Sequence, residues 1–237
     1  MSDHSVSAPN LSELQTHRRE KWRAFPKDVL PLPVAEMDFP VAQPIRDLLT
    51  EMVAKSDLGY LGAIPELGKG FAHFAGTRWN WEVDPLQVRA ATDVGVAVVE
   101  ILRVFTKPGD SILLSSPVYH NFYNWVKETQ LNLVDVPFER TGDESANPWE
   151  INWDGIEKAY AAGLKIHILC SPHNPLGRIY SKEELLRLVA LAKRFNVLII
   201  SDEIHAPLTF KGHEFVPMLS LGTDAESVSV TVTAASK

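Results

Sequence analysis

Apolar positions along the chain recur with two periods. Ile45, Leu48, Leu49, Met52 and Val53 stand three and four residues apart, which predicts a helix, and Pro44 suits its first turn. Residues 65–79 read as a second helix, and Val96–Phe105 as an apolar one stopped by Lys107-Pro108-Gly109-Asp110. Helices are also expected over Tyr119–Thr129 and Trp153–Ala162, the latter closed by Gly163. Ser181 followed by Glu184 forms a capping box that opens a helix running to Phe195. Between these lie short apolar runs that read as strands: Leu86–Ala91, Ile112–Leu114, Leu131–Val136, Ile166–Cys170, Val197–Ser201 and Val228–Thr233. Residues 1–12 are small and polar and are expected to be disordered. The following segment, with THRREKW and VLPLPVAEMDFP, is too rich in proline for regular structure.

Short apolar strands separated by helices indicate βαβ units, hence an α/β fold with a mostly parallel sheet covered on both faces. We expect an N-terminal arm over residues 1–35 and a sheet-bearing domain over 36–237. Ligands of such sheets bind beyond the carboxyl ends of the strands. The residues there are Thr92–Gly95, Ser115–Tyr119, Ser171–Gly177, Asp202–His205 and Ala234–Lys237.

Composition narrows the classes. The 237 residues are 45% hydrophobic and carry a net charge of −7, which offers no electrostatic attraction to nucleic acid or an anionic membrane. No apolar run reaches the ~18–20 residues of a membrane span, and the N-terminus lacks the apolar core of a secretory signal. One cysteine, Cys170, excludes an intrachain disulfide framework and suits a reducing cytoplasm.

Several strand-end residues have usable chemistry. Gly95 opens a helix whose unpaired N–H groups could seat a phosphate, although such a turn is more often a plain connection. Asp202 lies at the mouth of the buried strand Val197–Ser201, where a carboxylate is either structural or paired with a cation. Asn174 sits in Ser171-Pro172-His173-Asn174-Pro175-Leu176-Gly177, stiffened by two prolines. Lys237 ends the last strand, where an amine is a solvated charge or, in a cleft, a Schiff-base nucleophile. Asp202, His205 and His213 lack a metal-ligand spacing. Cys170 reads as a small buried hydrophobe, and His17, His73 and His167 as structural.

In combination these strand ends resemble the fold-type I enzymes that use pyridoxal 5′-phosphate, in the aminotransferase class I/II branch and nearest its cystathionine β-lyase (C–S lyase) subgroup. The resemblance rests on VAEMDFP, LGYLG, KPGDSILLSSPVYHNF, SPHNPLGRIYSKEEL, SDEIHAPLTFKG and ASK, in order over residues 34–237. It implies a large cofactor-binding domain, with the small C-terminal domain absent from this chain. Lys237 would hold the cofactor in Schiff-base linkage, and Asp202 would pair with its ring N–H. Asn174 would donate to its phenolic oxygen, Tyr119 would stack on its ring, and Val94 and Gly95 would bind its phosphate. His205 stands where many aminotransferases place a tyrosine, and Asp93-Val94-Gly95 where Pro-Gly-Val is more familiar. Tyr60 would reach the phosphate of a neighbouring subunit, implying a homodimer with shared active sites. Because the family continues past this lysine, we expect the sequence to be interrupted there.

The implied reaction is β-elimination on a cysteine S-conjugate such as L-cystathionine, giving pyruvate, ammonia and a thiol. An aminotransferase acting on an amino acid and a 2-oxo acid would use the same residues, and a regulatory protein would keep the cofactor without turnover. No metal is expected.

Overall fold

The chain divides into two units, residues 1–63 and 64–237. A computed structural model describes residues 7–33, 35–60, 62–142 and 148–237.

In the first unit, α1 (Leu11–Leu14) is a single turn capped by the Asn10 side chain, which accepts the Glu13 N–H, and it buries Leu14. A second turn, α2 (Glu20–Arg23), forms at THRREKW, ahead of the proline-rich stretch, where no regular structure was expected. Asp38 organises this region. Its carboxylate accepts from Arg19 at 2.5 Å, Lys21 at 2.7 Å and Trp22 Nε1 at 2.9 Å. Burial works to raise its pKa, but the bonds from Lys21 and Trp22 and the charges of Lys21 and Arg19 prevail and lower it. The helix α3 (Gln43–Ala54) has Pro44 in its first turn, as its spacing predicts, yet Ile45, Leu48, Leu49 and Val53 are all exposed.

The second unit begins with α4 (Pro65–Trp79), ended by Asn80 in a left-handed conformation. The expected strand at Leu86–Ala91 does not form: Pro85–Gln87 is a turn of 3-10 helix and residues 88–91 pair with no strand among the described residues. Without a neighbouring strand its backbone N–H and C=O groups have no ladder to join. Next come α5 (Val94–Phe105), β1 (Ser111–Leu114), α6 (Asn121–Glu128) and β2 (Asn132–Asp135). Two-residue strands β3 (Glu139–Arg140) and β4 (Trp149–Glu150) form an antiparallel pair that the sequence pattern does not signal. The remainder is α7 (Trp153–Ala161), β5 (Ile166–Cys170), α8 (Lys182–Phe195), β6 (Leu198–Asp202), α9 (Thr223–Val228) and β7 (Ser229–Val232). The capping box at Ser181 and Glu184 is present, and Gly163 takes the positive φ expected beyond α7.

The five main strands are parallel, in the order β2-β1-β5-β6-β7. Alternation along each strand sends side chains to two cores. Leu113, Leu169 and Ile199 meet α7 and α8 on one face. Ile112, Leu114, Ile166, Ile168, Cys170 and Ile200 meet α5 and α6 on the other. The sheet thus has the mostly parallel, two-sided architecture that the βαβ pattern predicts.

Candidate active site

β2 lies on one side of β1 and β5, β6 and β7 on the other, so strand order reverses between β1 and β5. The loop after β1 leads to α6 on one face and the loop after β5 to α8 on the opposite face. Their divergence opens a crevice beyond the carboxyl ends of the strands. Tyr119 follows β1 and Asn174 follows β5, so the two residues flank this crevice. A concavity of about 260 Å³ lies at this end, lined by Pro172, His173, Arg178, His205 and Phe210. A larger one of about 650 Å³ opens at the amino ends, beside Lys107, Lys165 and Leu198. Size favours the second. The buried titratable groups at strand ends assign the chemistry to the first end.

The start of α5 supplies an anion seat. Asp93 caps it: its Oδ1 accepts the Val96 N–H at 2.9 Å and its carbonyl accepts the Ala97 N–H at 3.0 Å. The amides of Val94 and Gly95 find no acceptor among the described residues. A Cβ on Gly95 would stand 3.1 Å from Trp125 Nε1 and 3.2 Å from Asp93 Oδ1, so glycine keeps this cradle open. Trp125, on α6, is a residue that sequence reasoning missed. Its only signal there was an aromatic in the helix after a strand-end loop. The Tyr119 ring meets Phe122 and Trp125 edge to face, with centroids 6.0 and 6.5 Å away. Its hydroxyl accepts from Asn121 Nδ2 at 2.7 Å.

The Asn174 loop is held from within. The Asn174 N–H donates to Cys170 Sγ at 3.3 Å, so the cysteine is buried as expected and is also an acceptor. Burial and the nearby Asp202 charge push its thiol up to about 12, despite the bond from Asn174. The base of the loop closes where the His173 N–H donates to the Arg178 carbonyl at 2.7 Å. Arg178 is buried, pairs with Glu184, donates from Nε to the Trp149 carbonyl at 3.3 Å and lies over the Tyr180 ring. The peptide bonds before Pro172 and Pro175 are cis.

Asp202 ends β6 on the same face as Ile200, opposite Cys170 in the neighbouring strand. Burial pushes its carboxyl up to about 6, against the effect of the Ile204 N–H bonded to it. A carboxylate so desolvated gains most from a cationic N–H partner. His205 donates to the Pro172 carbonyl, and its pKa is lowered by burial and by the charge of Lys237, more than that bond raises it. Asp202, His205, Lys237 and the Asn174 loop therefore meet at one end of the sheet, with Val94, Gly95 and Tyr119 on the α5–α6 face. Tyr60 belongs to the first unit, where its side chain is fully exposed. His167 is structural, as expected: its Nδ1 and the Tyr160 hydroxyl are 2.8 Å apart in the core. Among the described residues no three His, Cys, Asp or Glu side chains are placed to hold a metal ion. The donor set instead fits a phosphate-bearing cationic ring: two open amides beside a glycine cradle, and a buried acid with no cationic partner among the described residues.

Comparison with known proteins bears on the family and the fold. The profile of aminotransferase class I and II matches residues 27–237. Cystathionine beta-lyase of Corynebacterium glutamicum is 33% identical over 229 residues, covering 97% of this chain and 59% of that protein. Cystathionine beta-lyase PatB of Bacillus subtilis is 33% identical over 211 residues, covering 89% and 54%. The crystal structure of cystalysin from Treponema denticola, which contains a pyridoxal 5′-phosphate cofactor, superposes with a TM-score of 0.86 at 26% identity, covering 98% of this chain and 59% of that one. The chain thus spans between half and two thirds of the length of these relatives. It belongs to the aminotransferase class I and II family.

Proposed function

We propose that the protein is a pyridoxal 5′-phosphate-dependent carbon–sulfur lyase that cleaves cysteine S-conjugates such as L-cystathionine to pyruvate, ammonia and a thiol. The observation that carries this reading is the buried Asp202 carboxyl, with no ion pair among the described residues, at the same strand ends as Lys237 and His205. The kinship with two cystathionine beta-lyases favours lyase chemistry over the alternatives.

When bound, the cofactor supplies a Schiff-base carbonyl and an electron-withdrawing pyridinium ring. Lys237 Nζ would hold it covalently and, once displaced by the substrate amine, take the proton from the substrate Cα. That role needs the released amine in its neutral form. Asp202 would keep the ring nitrogen protonated. The Asn174 amide would donate to the phenolic oxygen, with His205 beside it, and the Tyr119 ring would set the tilt of the plane. The Val94 and Gly95 amides would bind the phosphate at the positive end of α5. Loss of the Cα proton and departure of the thiolate from Cβ would complete the elimination, and the released aminoacrylate would take up water, through its imine, to give pyruvate and ammonia.

We infer further that residues 36–237 are the N-terminal part of the large domain and that the working unit is a cytoplasmic homodimer. In it Tyr60 would serve the partner's phosphate. Among the described residues no helix is long and apolar enough to cross a membrane.

The deciding experiment incubates the full-length protein with L-cystathionine and no 2-oxo acid. Release of pyruvate and thiol is expected. Glutamate formed only when 2-oxoglutarate and an amino donor are added would make the protein an aminotransferase, a reading favoured by its 28% identity to the aspartate aminotransferase of Thermotoga maritima. A bound cofactor with no turnover of any amino acid would make it a regulatory binder.

A further inference from the structure

Beside Asp202 stands a second acid that the proposed chemistry leaves unused. Glu203 is only 2% exposed. Strand alternation turns it away from Asp202, toward the face that holds Ile199, Met218 and α8. Its Oε1 accepts from the Ser201 hydroxyl at 3.0 Å and from the Met218 N–H at 2.8 Å. From β7, Thr231 faces the same carboxyl. Thr231 is the register partner of Ser201, and its buried Oγ1 has no partner at full hydrogen-bond distance among the described residues, the Glu203 carboxyl being the group it acts on.

The main chain of Glu203 makes the same connections. Its N–H donates to the Val232 carbonyl at 2.8 Å, and its carbonyl accepts from Thr233 Oγ1 at 3.3 Å and from the Ala206 N–H at 3.0 Å. One residue therefore joins the end of β6, the end of β7 and the turn at Met218–Leu221. β6 delivers Asp202 and His205. β7 delivers Lys237, five residues beyond its last residue.

We propose that Glu203 is a positioning residue: its buried side chain clamps the carboxyl ends of β6 and β7 together and so sets the placement of Asp202 against Lys237. Burial, helped by the Asp202 charge, pushes the Glu203 carboxyl up to about 8, against the effects of the Met218 amide and the Ser201 and Thr231 hydroxyls. This favours the uncharged acid at neutral pH, with the Thr231 hydroxyl beside it on β7. Ser201 on β6, Thr231 on β7 and the Met218 amide surround it, and the charged group acting on it is Asp202.

The inference rests on the proposed function, and its test compares Glu203→Gln and Glu203→Ala in the full-length protein loaded with pyridoxal 5′-phosphate. Glutamine keeps the size, one acceptor and one donor, and should retain near wild-type kcat. Alanine should lower kcat by about tenfold to a hundredfold, the cost of a misplaced reacting group, with little change in KM. It should also shift the pH titration of the visible absorbance of the lysine-bound cofactor, which glutamine should leave in place. A folded alanine variant with wild-type kcat and titration overturns the proposal, as does an equal loss in both variants. If the alanine variant does not fold, Thr231→Val decides, because it removes only the contact to β7: a shifted titration supports the clamp, an unshifted one refutes it. A wild-type protein without lyase activity would sink the proposed function, while the absorbance titration would still decide the role of Glu203.

Discussion

At the scale of single residues, the site sets binding of its ligand against stability. Asp202 holds a carboxyl whose folded pKa of about 6 exceeds its ordinary 3.8. The folded state then binds more protons between those values, so stability falls as pH rises from about 4 to about 6 and stays reduced above. Asp202→Asn should raise the stability of the cofactor-free protein at pH 7, by up to about 3 kcal/mol, the equivalent of that shift. It should also slow Cα proton abstraction by at least about a hundredfold while the cofactor stays bound. A calorimetric Tm at or below wild type would show that burial does not strain this acid. Lys237→Ala should abolish both turnover and the absorbance of the lysine-bound cofactor, and residual lyase activity would remove the lysine from its role. Gly95→Ala crowds Trp125 and Asp93 and should weaken cofactor binding. Equilibrium dialysis giving an unchanged Kd would show that the α5 cradle does not hold the phosphate.

At the scale of elements, legibility followed locality. The bounds of β5 and of α8 could be read directly, because one is an apolar run buried on both faces and the other opens with a capping box. Ser181→Ala should cost about 1 kcal/mol of unfolding free energy. Leu188→Ala, emptying a fully buried position on the same helix, should cost about 2–5 kcal/mol. Denaturant titration measures both, and a cap effect larger than the core effect would contradict this packing. Residues 86–91 misled because a strand exists only with a partner, and Leu86 is exposed here. The β3–β4 pair and α9 (TDAESV) were missed for the opposite reason, since neither carries an apolar period to read.

At the scale of the whole molecule, α3 presents Ile45, Leu48, Leu49 and Val53 to solvent, and none of its residues is buried. An apolar stripe of this kind favours association. Residues 1–237 expressed alone should self-associate in sedimentation, and Leu48→Ser with Val53→Ser should reduce it. A monomer at high concentration would show the stripe to be tolerated.

The sequence by itself determined the alternation of helix and strand, hence the parallel sheet, and it marked Tyr119, Asn174, Asp202, His205 and Lys237 as strand-end residues; Val94 and Gly95 open a helix, but the strand expected before them does not form. These are local properties of periodicity, capping and turn chemistry. Only the tertiary structure decided which strands are neighbours, where their order reverses, and on which face each strand-end side chain falls. Those facts separate Asp202 from Glu203, adjacent in the chain but on opposite faces, and bring Trp125 to Gly95. They depend on contacts between residues far apart in the chain, which no local pattern encodes.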